Sequence, residues 1–528
     1  MKKVKLQAHR GVSTECPENT MSAFRCAAMQ DYDVIELDPK YTSDGKIVIL
    51  HDMTLNRTAR NKGGSALEKE TKITEMTYDE ALLYDYGIAF SPKFRGEKIP
   101  LLSEVLDFAK ENKIRLKIDN VIQSFPSEIL EELFSELRGF EEFISLTSYS
   151  VDFIKKCLSE LPNISVDYDG RVTEEVLKEL SALVPREKLT VWLPYECDGT
   201  SWVKIPFADA ENTTLVKKYA SLGIWIIGSV SDFDKVSEEF APDIVETTGG
   251  IKPTANTGRI YDMHTHSRNS HDSECAVADM KKAAEKCGLS GFAVTDHLDV
   301  EYCMESDIEK VVIGALAAAE AANDGCLEVL RGVEVGEGFW HPDFTAKILE
   351  KYDFDVVVGS VHAVKYKGYE MPYSHINFAE MGHDTAIRYL DSYFDDMIYM
   401  AENSDFDVLA HITCPFRYVN LKFGLGIDAH LYKDKIEKIL RTVIRRGIAF
   451  EVNTSRDYDT DYAEFEKELW ITEMYRDLGG YLVTIGSDAH KAEKSANGFD
   501  IICPRLKKLG FKNIYYYKNR CALQCAMI

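Results

Sequence analysis

The chain has 528 residues, too many for one ordinary domain, and its length favours two to four domains. Hydrophobic residues make up 45% and charged residues 28%, a balance typical of proteins that bury large cores. The formal net charge of −25 argues against a nucleic-acid partner, because phosphate backbones bind basic faces. No apolar run approaches the roughly 18 residues of a membrane helix, so we expect no membrane insertion.

The amino terminus and the cysteines indicate a compartment. MKKVKLQAHRG has lysines but no apolar stretch after them, so we expect no signal peptide. The 12 cysteines form no CxxC pair and show no regular spacing. Such cysteines are typical of free thiols in a reducing environment, and we therefore expect a cytoplasmic protein.

Short apolar runs typical of strands recur along the chain, with amphipathic segments between them. KIVILHD (46–52), GFAVTDH (291–297) and FDVVVGSVH (354–362) are largely apolar, as strands covered on both faces must be. SEVLDFAKEN (103–112) and KIEKILRTVIRRG (435–447) show helical spacing. This alternation predicts parallel α/β units. In most strand runs the chemically active residue comes last, where barrel folds place their active sites.

The first half places such residues around its early strands. QAHRG supplies His9 and Arg10 after a short strand, and IVILHD ends near His51. VIELD places Glu36 and Asp38 on one side of a strand, because residues two apart share a face. Two carboxylates at that spacing suit Mg²⁺ or Ca²⁺. Together with the two histidines they indicate metal-assisted phosphodiester chemistry.

The series AHRG, PENTMSAF and VIELDPKYTSDGKIVILHDMTLNRT resembles the glycerophosphodiester phosphodiesterases over residues 5–60, and the likeness continues through IPLLSEVLDFA. The resemblance implies a TIM (β/α)8 barrel. It implies that His9 and His51 are a catalytic acid–base pair, one taking a proton from the attacking hydroxyl and the other giving one to the leaving alcohol. Arg10 would contact the phosphate, and Glu36 and Asp38 would bind Mg²⁺ or Ca²⁺.

Later motifs of the first half depart from that family. The family's third metal carboxylate is usually a glutamate two residues before a lysine, whereas LKIDNV supplies Asp119 as the third ligand and has Val121 at the place of the lysine. The late tryptophan motif survives only as Trp225, and IVETTGG replaces the closing threonine–aspartate motif. Two interpretations stay open: a working diesterase, or a non-catalytic module that binds phosphoesters.

A domain boundary is expected at GGIKPTANTGRI (249–260), where glycine, proline, threonine and asparagine follow one another without periodicity. The two halves that it leaves are each near the ~250 residues of a (β/α) barrel. We therefore predict one domain over residues 1–253 and a second over residues 260–528.

Histidines are concentrated after this boundary. Only two of the 13 precede it, and MHTHSRNSHDSE (263–274) opens the second half with three. His264 and His266 are two apart, which places both imidazoles on one side of a strand. Imidazoles and carboxylates together suit zinc, manganese or iron. Further candidate ligands come at or near the ends of later strands: His297, Glu334, His362, His411, Asp488 and His490. One ion cannot use so many ligands, so we expect two or three divalent transition metals.

The second half resembles the polymerase-and-histidinol-phosphatase (PHP) superfamily, and within it the histidinol-phosphatase branch. The likeness runs in order through YDMHTHSRNSHDSE, GFAVTDHLD, LRGVEVGE, VVVGSVHAV, VLAHITCPFRY, FEVNTS and LVTIGSDAHK. It implies a distorted PHP-type (β/α)7 barrel with a trinuclear metal centre. The implied ligand groups are His264, His266, Glu334 and Asp488; then Glu334, His362 and His411; then His297, His490 and Asp272. His271 is the alternative to Asp272.

The predicted chemistry is hydrolysis of small-molecule phosphoesters. Clustered cations offset the negative charge of a phosphate monoester and activate water near neutral pH. Arg417, after VLAH, and Arg456, after FEVNTS, are expected to bind phosphate oxygens through their guanidinium groups. We therefore expect a histidinol-phosphatase-like phosphomonoesterase joined to a diesterase. The alternatives for the second half are another phosphomonoester, such as glycerol 3-phosphate, or a nuclease activity, which the acidic charge opposes. Nothing in the sequence indicates the oligomeric state.

Overall fold

The computed structural model describes residues 4–119, 122–195, 207–226, 232–249, 260–300, 308–323, 325, 327–455 and 458–525. The chain divides into two compact units, Met1–Lys252 and Pro253–Ile528. We keep 1–253 and 260–528 as the proposed domain limits. In the part of the chain that is described, none of the helices has both the length and the apolar character needed to span a bilayer.

The first unit is a closed barrel of parallel strands. Its described strands are β1 (Lys5–Ala8), β2 (Val34–Leu37), β3 (Pro39–Tyr41), β4 (Ile47–Ile49), β5 (Arg60–Asn61), β6 (Tyr84–Asp85), β7 (Arg115–Ile118), β8 (Ile144–Ser148), β9 (Ser165–Tyr168), β10 (Leu189–Pro194), β11 (Ser221–Ile226) and β12 (Ile244–Thr247). Eight of them close the barrel in the order β1-β12-β11-β10-β9-β8-β7-β2. The antiparallel pairs β3–β4 and β5–β6 lie outside this ring.

The helices of the first unit cover the barrel. They are Met21–Met29, Tyr78–Ala81, Leu102–Asn112, Ser127–Leu137, Val151–Glu160, Glu174–Leu183, Ala210–Tyr219 and Asp232–Phe240, with short 3-10 turns at Ile73–Glu75, Pro92–Phe94, Ile122–Ser124 and Arg186–Lys188. Ser150, Thr173 and Asp209 each accept a hydrogen bond from a backbone amide in the first turn of the following helix. Such caps satisfy donors that have no partner inside the helix.

The second unit contains one long parallel sheet and a carboxyl-terminal hairpin. Its described strands are β13 (Tyr261–Thr265), β14 (Gly291–Val294), β15 (His297–Asp299), β16 (Glu328–Gly336), β17 (Val356–Ser360), β18 (Val408–Leu409), β19 (Ala449–Asn453), β20 (Val483–Gly486), β21 (Ile514–Lys518) and β22 (Cys521–Cys525). The sheet order is β13-β14-β16-β17-β18-β19-β20, and β15 pairs with the later part of β16. Strand β17 is buried over its whole length, as expected for a parallel strand covered on both faces.

The carboxyl end of the first strand of this sheet meets the residues that follow the last strand. Thr265 and Ala489 form a parallel bridge. The amide of His266 donates to the carbonyl of Ala489 at 2.9 Å, and the amide of Asp488 donates to the carbonyl of His264 at 2.7 Å. The sheet is therefore a nearly closed, distorted seven-stranded barrel. The predicted pair of barrels, a TIM (β/α)8 barrel followed by a distorted PHP-type (β/α)7 barrel, is confirmed.

Helices also surround the second barrel. They are Val277–Lys286, Gly314–Ala322, Pro342–Lys351, Phe378–Met381, His383–Asn403, Cys414–Phe416, Lys433–Arg445, Tyr458–Asp477 and Phe499–Leu509, with shorter 3-10 or π turns at Glu309–Ile313, Gly338–Trp340, Tyr373–His375, Arg417–Lys422, Ala429–Tyr432 and Ala492–Lys494. The helix Lys433–Arg445 buries Ile436, Ile439, Leu440 and Val443, which recur with helical spacing. The parallel strands bring their carboxyl ends to one edge of the barrel, where the predicted ligands are found.

Candidate active sites in the two barrels

Glu334, in strand β16, is the central residue of the second barrel's site and is fully buried. Its Oε1 atom lies 2.9 Å from Nε2 of His411 and 3.2 Å from Nε2 of His362. Its Oε2 atom lies 2.9 Å from Nδ1 of His297 and 3.2 Å from Nε2 of His264. One carboxylate thus joins imidazoles from four different parts of the barrel.

Asp488 gathers a second set of ligands after strand β20. Its Oδ1 atom is 3.1 Å from Nε2 of His266, 3.9 Å from Nε2 of His264 and 3.6 Å from Nδ1 of His490. The backbone of Asp488 has φ 51°, in the left-handed region that aspartate adopts more readily than most residues. Asp488 and His490 both lie beside His266, whose ring centroid is 4.1 Å from that of His490.

Asp272 and His271 occupy different surroundings. The Oδ2 atom of Asp272 lies 3.0 Å from Nε2 of His490 and 3.5 Å from Nε2 of His297. The side chain of His271 is 66% exposed, and its Nδ1 is 3.9 Å from Asp299. The geometry therefore favours Asp272 over His271 as the proposed partner of the third ligand group.

The histidines of this site differ in charge. Burial opposes protonation of His264 and His297, but neighbouring carboxylates, Glu334 among them, outweigh it and raise the pKa of both rings well above its usual range. Burial, with the neighbouring His297 and His490, lowers the pKa of His266 to about 3, so that its imidazole is neutral, as a metal ligand must be. Burial works against the charge of Glu334, but His264 and His297 outweigh it and hold the carboxyl pKa well below its usual range. Burial likewise opposes ionisation of Asp488, and adjacent imidazoles keep its pKa well below its usual range.

The donor set fits divalent transition metals. Among the described residues, several buried ring nitrogens and carboxylate oxygens of the site make no hydrogen bond of proper geometry, although some of them lie within contact distance of each other: His264 Nε2, His266 Nδ1 and Nε2, His297 Nδ1, Glu334 Oε2 and His411 Nδ1. Buried polar atoms are otherwise nearly always paired. Among the described residues, three groups bring their ligand atoms within 4.8 Å of one another: His264, His266 and Glu334; His297, Glu334 and His362; and His266, His297 and His490. Imidazole with carboxylate is a donor set for zinc, manganese or iron.

Arg417 lies at the edge of this site. Its Nη2 donates to Oδ1 of Asn453 at 2.6 Å, and its Nη1 is 4.0 Å from Oδ2 of Asp488. One end of the guanidinium group is thus held by Asn453, and the side chain as a whole is 18% exposed. The other predicted phosphate contact, Arg456, is outside the described residues.

The first barrel brings Arg10, Glu36 and Asp38 together. The amide of Arg10 donates to Oε2 of Glu36 at 2.8 Å, and its Nε lies 3.3 Å from Oδ2 of Asp38. Arg10 has φ 58° and is followed by Gly11 at φ 77°. A Cβ at Gly11 would lie 2.6 Å from Cβ of Ala23, so this tight turn requires glycine.

The two predicted catalytic histidines of the first barrel have different partners. Burial lowers the pKa of His9 even though Glu246 and Asp38 oppose the shift, which favours a neutral ring able to accept a proton. The Nδ1 atom of His51 is 2.6 Å from Oδ1 of Asp52, and Oδ2 of Asp52 accepts from Arg57 at 2.7 Å. Asp52 thereby fixes one edge of the His51 ring.

Asp119 has different surroundings from those predicted. Its Oδ2 atom lies 3.0 Å from Nζ of the buried Lys117, which is also 3.4 Å from Oε2 of Glu246. Over the described parts of this barrel, no three carboxylates or histidines bring their ligand atoms within 4.8 Å of one another. The expected Mg²⁺ or Ca²⁺ site formed by Glu36, Asp38 and Asp119 does not fit this geometry, because the ammonium group of Lys117 already pairs with Asp119.

Comparison with known families agrees with this arrangement of two barrels. The sequence profile of the Glycerophosphoryl diester phosphodiesterase family matches residues 9–169, and the profile of the PHP domain matches residues 262–455. The chain is a fusion of a glycerophosphodiester phosphodiesterase-like domain with a histidinol-phosphatase-like PHP domain. Both parts belong to phosphoesterase families, so the protein is a hydrolase acting on phosphoric esters.

Individual relatives divide between the two domains. A protein of Thermotoga maritima named "Probable histidinol-phosphatase" is 29% identical over 261 residues, which are 48% of this chain and 94% of that protein. A glycerophosphodiester phosphodiesterase of Caldanaerobacter subterraneus is 36% identical over 161 residues, which are 29% of this chain and 63% of that enzyme. The solved histidinol phosphate phosphatase of Lactococcus lactis, complexed with zinc, L-histidinol and phosphate, is 20% identical with a TM-score of 0.42, and the match covers 50% of this chain and 98% of that one.

Sequence reasoning missed two carboxylates of the PHP domain that orient its imidazoles. Glu451 in β19 lies 2.7 Å from Nδ1 of His264 and accepts from the amide of His411 at 2.9 Å. Asp299 lies 3.0 Å from Nδ1 of His362. A carboxylate at one ring nitrogen fixes the ring so that the other nitrogen faces the metal. The signal for Glu451 was available, since a charged residue inside the apolar strand AFEVN needs a partner.

Gly486 makes room for this contact between Glu451 and His264. A Cβ at position 486 would lie 2.5 Å from Cβ of His264 and would also collide with the Oε1 atom of Glu451. Both neighbours belong to packed parts of the barrel and have little space to move. The glycine of GSDAH is therefore explained by the close approach of the ligand and its supporting carboxylate.

Proposed function

We propose that the PHP domain is a metal-dependent phosphomonoesterase that hydrolyses L-histidinol phosphate to L-histidinol and phosphate. The observation that carries the proposal is the convergence of four imidazoles on the two oxygens of Glu334. The similarity to the Thermotoga maritima protein, which spans 94% of that protein and 48% of this chain, supports the substrate. The proposed ligands are those named from the sequence, including Asp272 rather than its alternative His271, and they would hold two or three ions of zinc, manganese or iron.

The chain's own residues have separable tasks in this reaction. When bound, the metals would offset the charge of the phosphoryl group and lower the pKa of water. Arg417, held by Asn453, would donate to a phosphate oxygen that arrives beside Asp488. Glu451 would keep His264 in one tautomer, and Asp299 would do the same for His362.

A substrate panel tests this proposal. We expect the full chain, loaded with manganese, to prefer L-histidinol phosphate over glycerol 3-phosphate by more than about tenfold in kcat/KM, or about 1.4 kcal/mol in transition-state binding. The measurement is the initial rate of phosphate release. Equal rates on all monoesters would contradict the substrate assignment. A preference for glycerol 3-phosphate would instead make this domain the consumer of a diesterase product.

We propose further that the glycerophosphodiester phosphodiesterase-like domain hydrolyses a glycerophosphodiester, with His9 and His51 as the acid–base pair and Arg10 as a phosphate contact. The arrangement of Arg10 against Asp38 and of His51 against Asp52 supports this. A binding module without turnover is the second candidate, and the Lys117–Asp119 pair favours it. The Mg²⁺ or Ca²⁺ expected from the sequence stays a prediction that this same pair opposes.

Histidine variants distinguish these two candidates. With glycerophosphoglycerol as substrate, we expect the full chain to release glycerol 3-phosphate, and His9→Gln or His51→Gln to lower the rate by about 10²–10⁴-fold. His383→Gln, an exposed histidine of the other domain, is the matched control. Absence of turnover in the unaltered chain, with calorimetric binding that survives both substitutions, would establish a binding module. Inorganic phosphate rising together with glycerol 3-phosphate would show that the two domains act in sequence.

The proposed partners are small-molecule phosphoesters rather than nucleic acid. The net charge of −25 supports this, and incubation with single-stranded DNA tests the nuclease alternative directly. We also propose a cytoplasmic location. The cysteine pattern supports this, because the 12 cysteines of the sequence form no CxxC pair and show no regular spacing.

A further inference from the structure

Lys117 is a buried cation inside the first barrel. It belongs to β7, where it is in register with Glu36 of β2 on one side and with Ser145 of β8 on the other. Its ammonium group lies 4.3 Å from the ring centroid of Trp192. The ammonium group also lies 3.0 Å from Oδ2 of Asp119, so its single positive charge contacts both a carboxylate and the face of an aromatic ring.

The carboxylates around this position already have partners within the chain. Glu246 accepts from Gln7 and lies 3.4 Å from the ammonium of Lys117. Asp38 accepts from Asn19 at 2.7 Å and is 3.3 Å from Nε of Arg10. A Ca²⁺ or Mg²⁺ site needs several oxygens turned toward one point. Here one oxygen of each of these carboxylates is already turned toward a side-chain cation or an amide.

We propose that Lys117 takes the place of a divalent cation in the first barrel, so that this domain receives its phosphoester without a metal ion. The ammonium group offsets part of the negative charge of Asp119 and Glu246 and lies beside both carboxylates, so that a divalent ion entering there would meet a positive charge at close range. Only the identity of the ligand rests on the proposed function. The proposal that no divalent ion binds there is separate, and it applies whether the domain is a diesterase or a binding module.

Calorimetric titration of the full chain tests this proposal. The PHP domain is first saturated with manganese, and Ca²⁺ or Mg²⁺ is then added to the unaltered chain and to Glu36→Gln. We expect the two titrations to superimpose, with no stoichiometric heat below about 1 mM cation. A stoichiometric Ca²⁺ or Mg²⁺ site in the unaltered chain that Glu36→Gln abolishes would overturn the proposal, whatever the domain does with phosphoesters.

Substitution of the lysine gives a second test. Lys117→Glu replaces the cation with a further carboxylate, and we expect it to gain a calcium-dependent rise of about 5–10 °C in melting temperature. Lys117→Met removes the charge without adding a ligand and should show no such rise. A folded Lys117→Glu chain whose melting temperature does not change with calcium would overturn the role of Lys117. If this variant does not fold, the comparison of the unaltered chain with Glu36→Gln decides the question.

Discussion

Glu334→Gln should lower kcat/KM for phosphate release by the PHP domain by more than about 100-fold, because replacing even a partner outside the ligand shell typically costs 10–100-fold. The amide offers one oxygen where the carboxylate offers two, so half of the bridge between the two sets of imidazoles is lost. The charge that stabilises the surrounding histidines is lost as well. The measurements are the rate of phosphate release and the metal content by mass spectrometry.

Glu328→Gln is the matched control for this substitution. Glu328 lies at the start of the same strand, where its carboxylate accepts from the hydroxyl of Tyr261 at 2.7 Å and pairs with Lys518 at 2.5 Å. We expect this variant to keep its metals and its rate. A Glu334→Gln chain with full metal content and an unaltered rate would contradict the bridging role.

Removing the metals should destabilise the PHP domain and leave the first barrel unaffected. Metals that bind only the folded state stabilise it by about 4 kcal/mol when their free concentration is about 1,000 times the dissociation constant. A loss of that size lowers the melting temperature of a domain of this length by about 8–16 °C. Calorimetric scans with and without a chelator measure it, and hydrogen exchange assigns each transition to its domain.

The first barrel is the internal control of this experiment. That barrel pairs its carboxylates with Arg10 and Lys117, so we expect its transition to stay where it is. Adding back zinc or manganese should restore the melting temperature of the PHP domain and leave that of the first barrel unchanged. If the chelator lowers the melting temperatures of both domains, the first barrel also depends on a metal. If it lowers neither, the metal centre does not stabilise the PHP domain.

The PHP ligand set was predictable because strand geometry repeats. His264 and His266 share a face since side chains alternate along a strand, and later ligands come at strand ends because parallel strands meet at one edge. The preference for Asp272 over His271 came from the family resemblance, because both residues lie in a loop where local periodicity does not choose between them. Strand lengths were also not predictable, since FDVLAHI contributes only the two residues Val408–Leu409 to the sheet.

Residues that act through a distant partner were missed. Lys117 looks like an ordinary solvent-facing residue in LKID, and its partner Glu246 is 129 residues away. Glu451 and His264 are 187 residues apart. Local periodicity assigns each of these residues to a face of its own strand, but only the closed ring shows which side chains meet across it. Buried charges in apolar strands are the available signal, and they indicate that a partner exists without naming it.

The order of the ligands along the chain determines how late in synthesis the metal site of the PHP domain can form. Asp272 and His490, which meet at 3.0 Å, are 218 residues apart, and the second of them comes from the last strand to enter the barrel. At ribosomal rates of 5–20 residues per second, about 10–45 s separate their synthesis. A growing chain therefore offers an ion only fragments of the ligand set until nearly the whole domain has emerged. Metal supplied during translation and metal supplied afterwards should consequently be interchangeable.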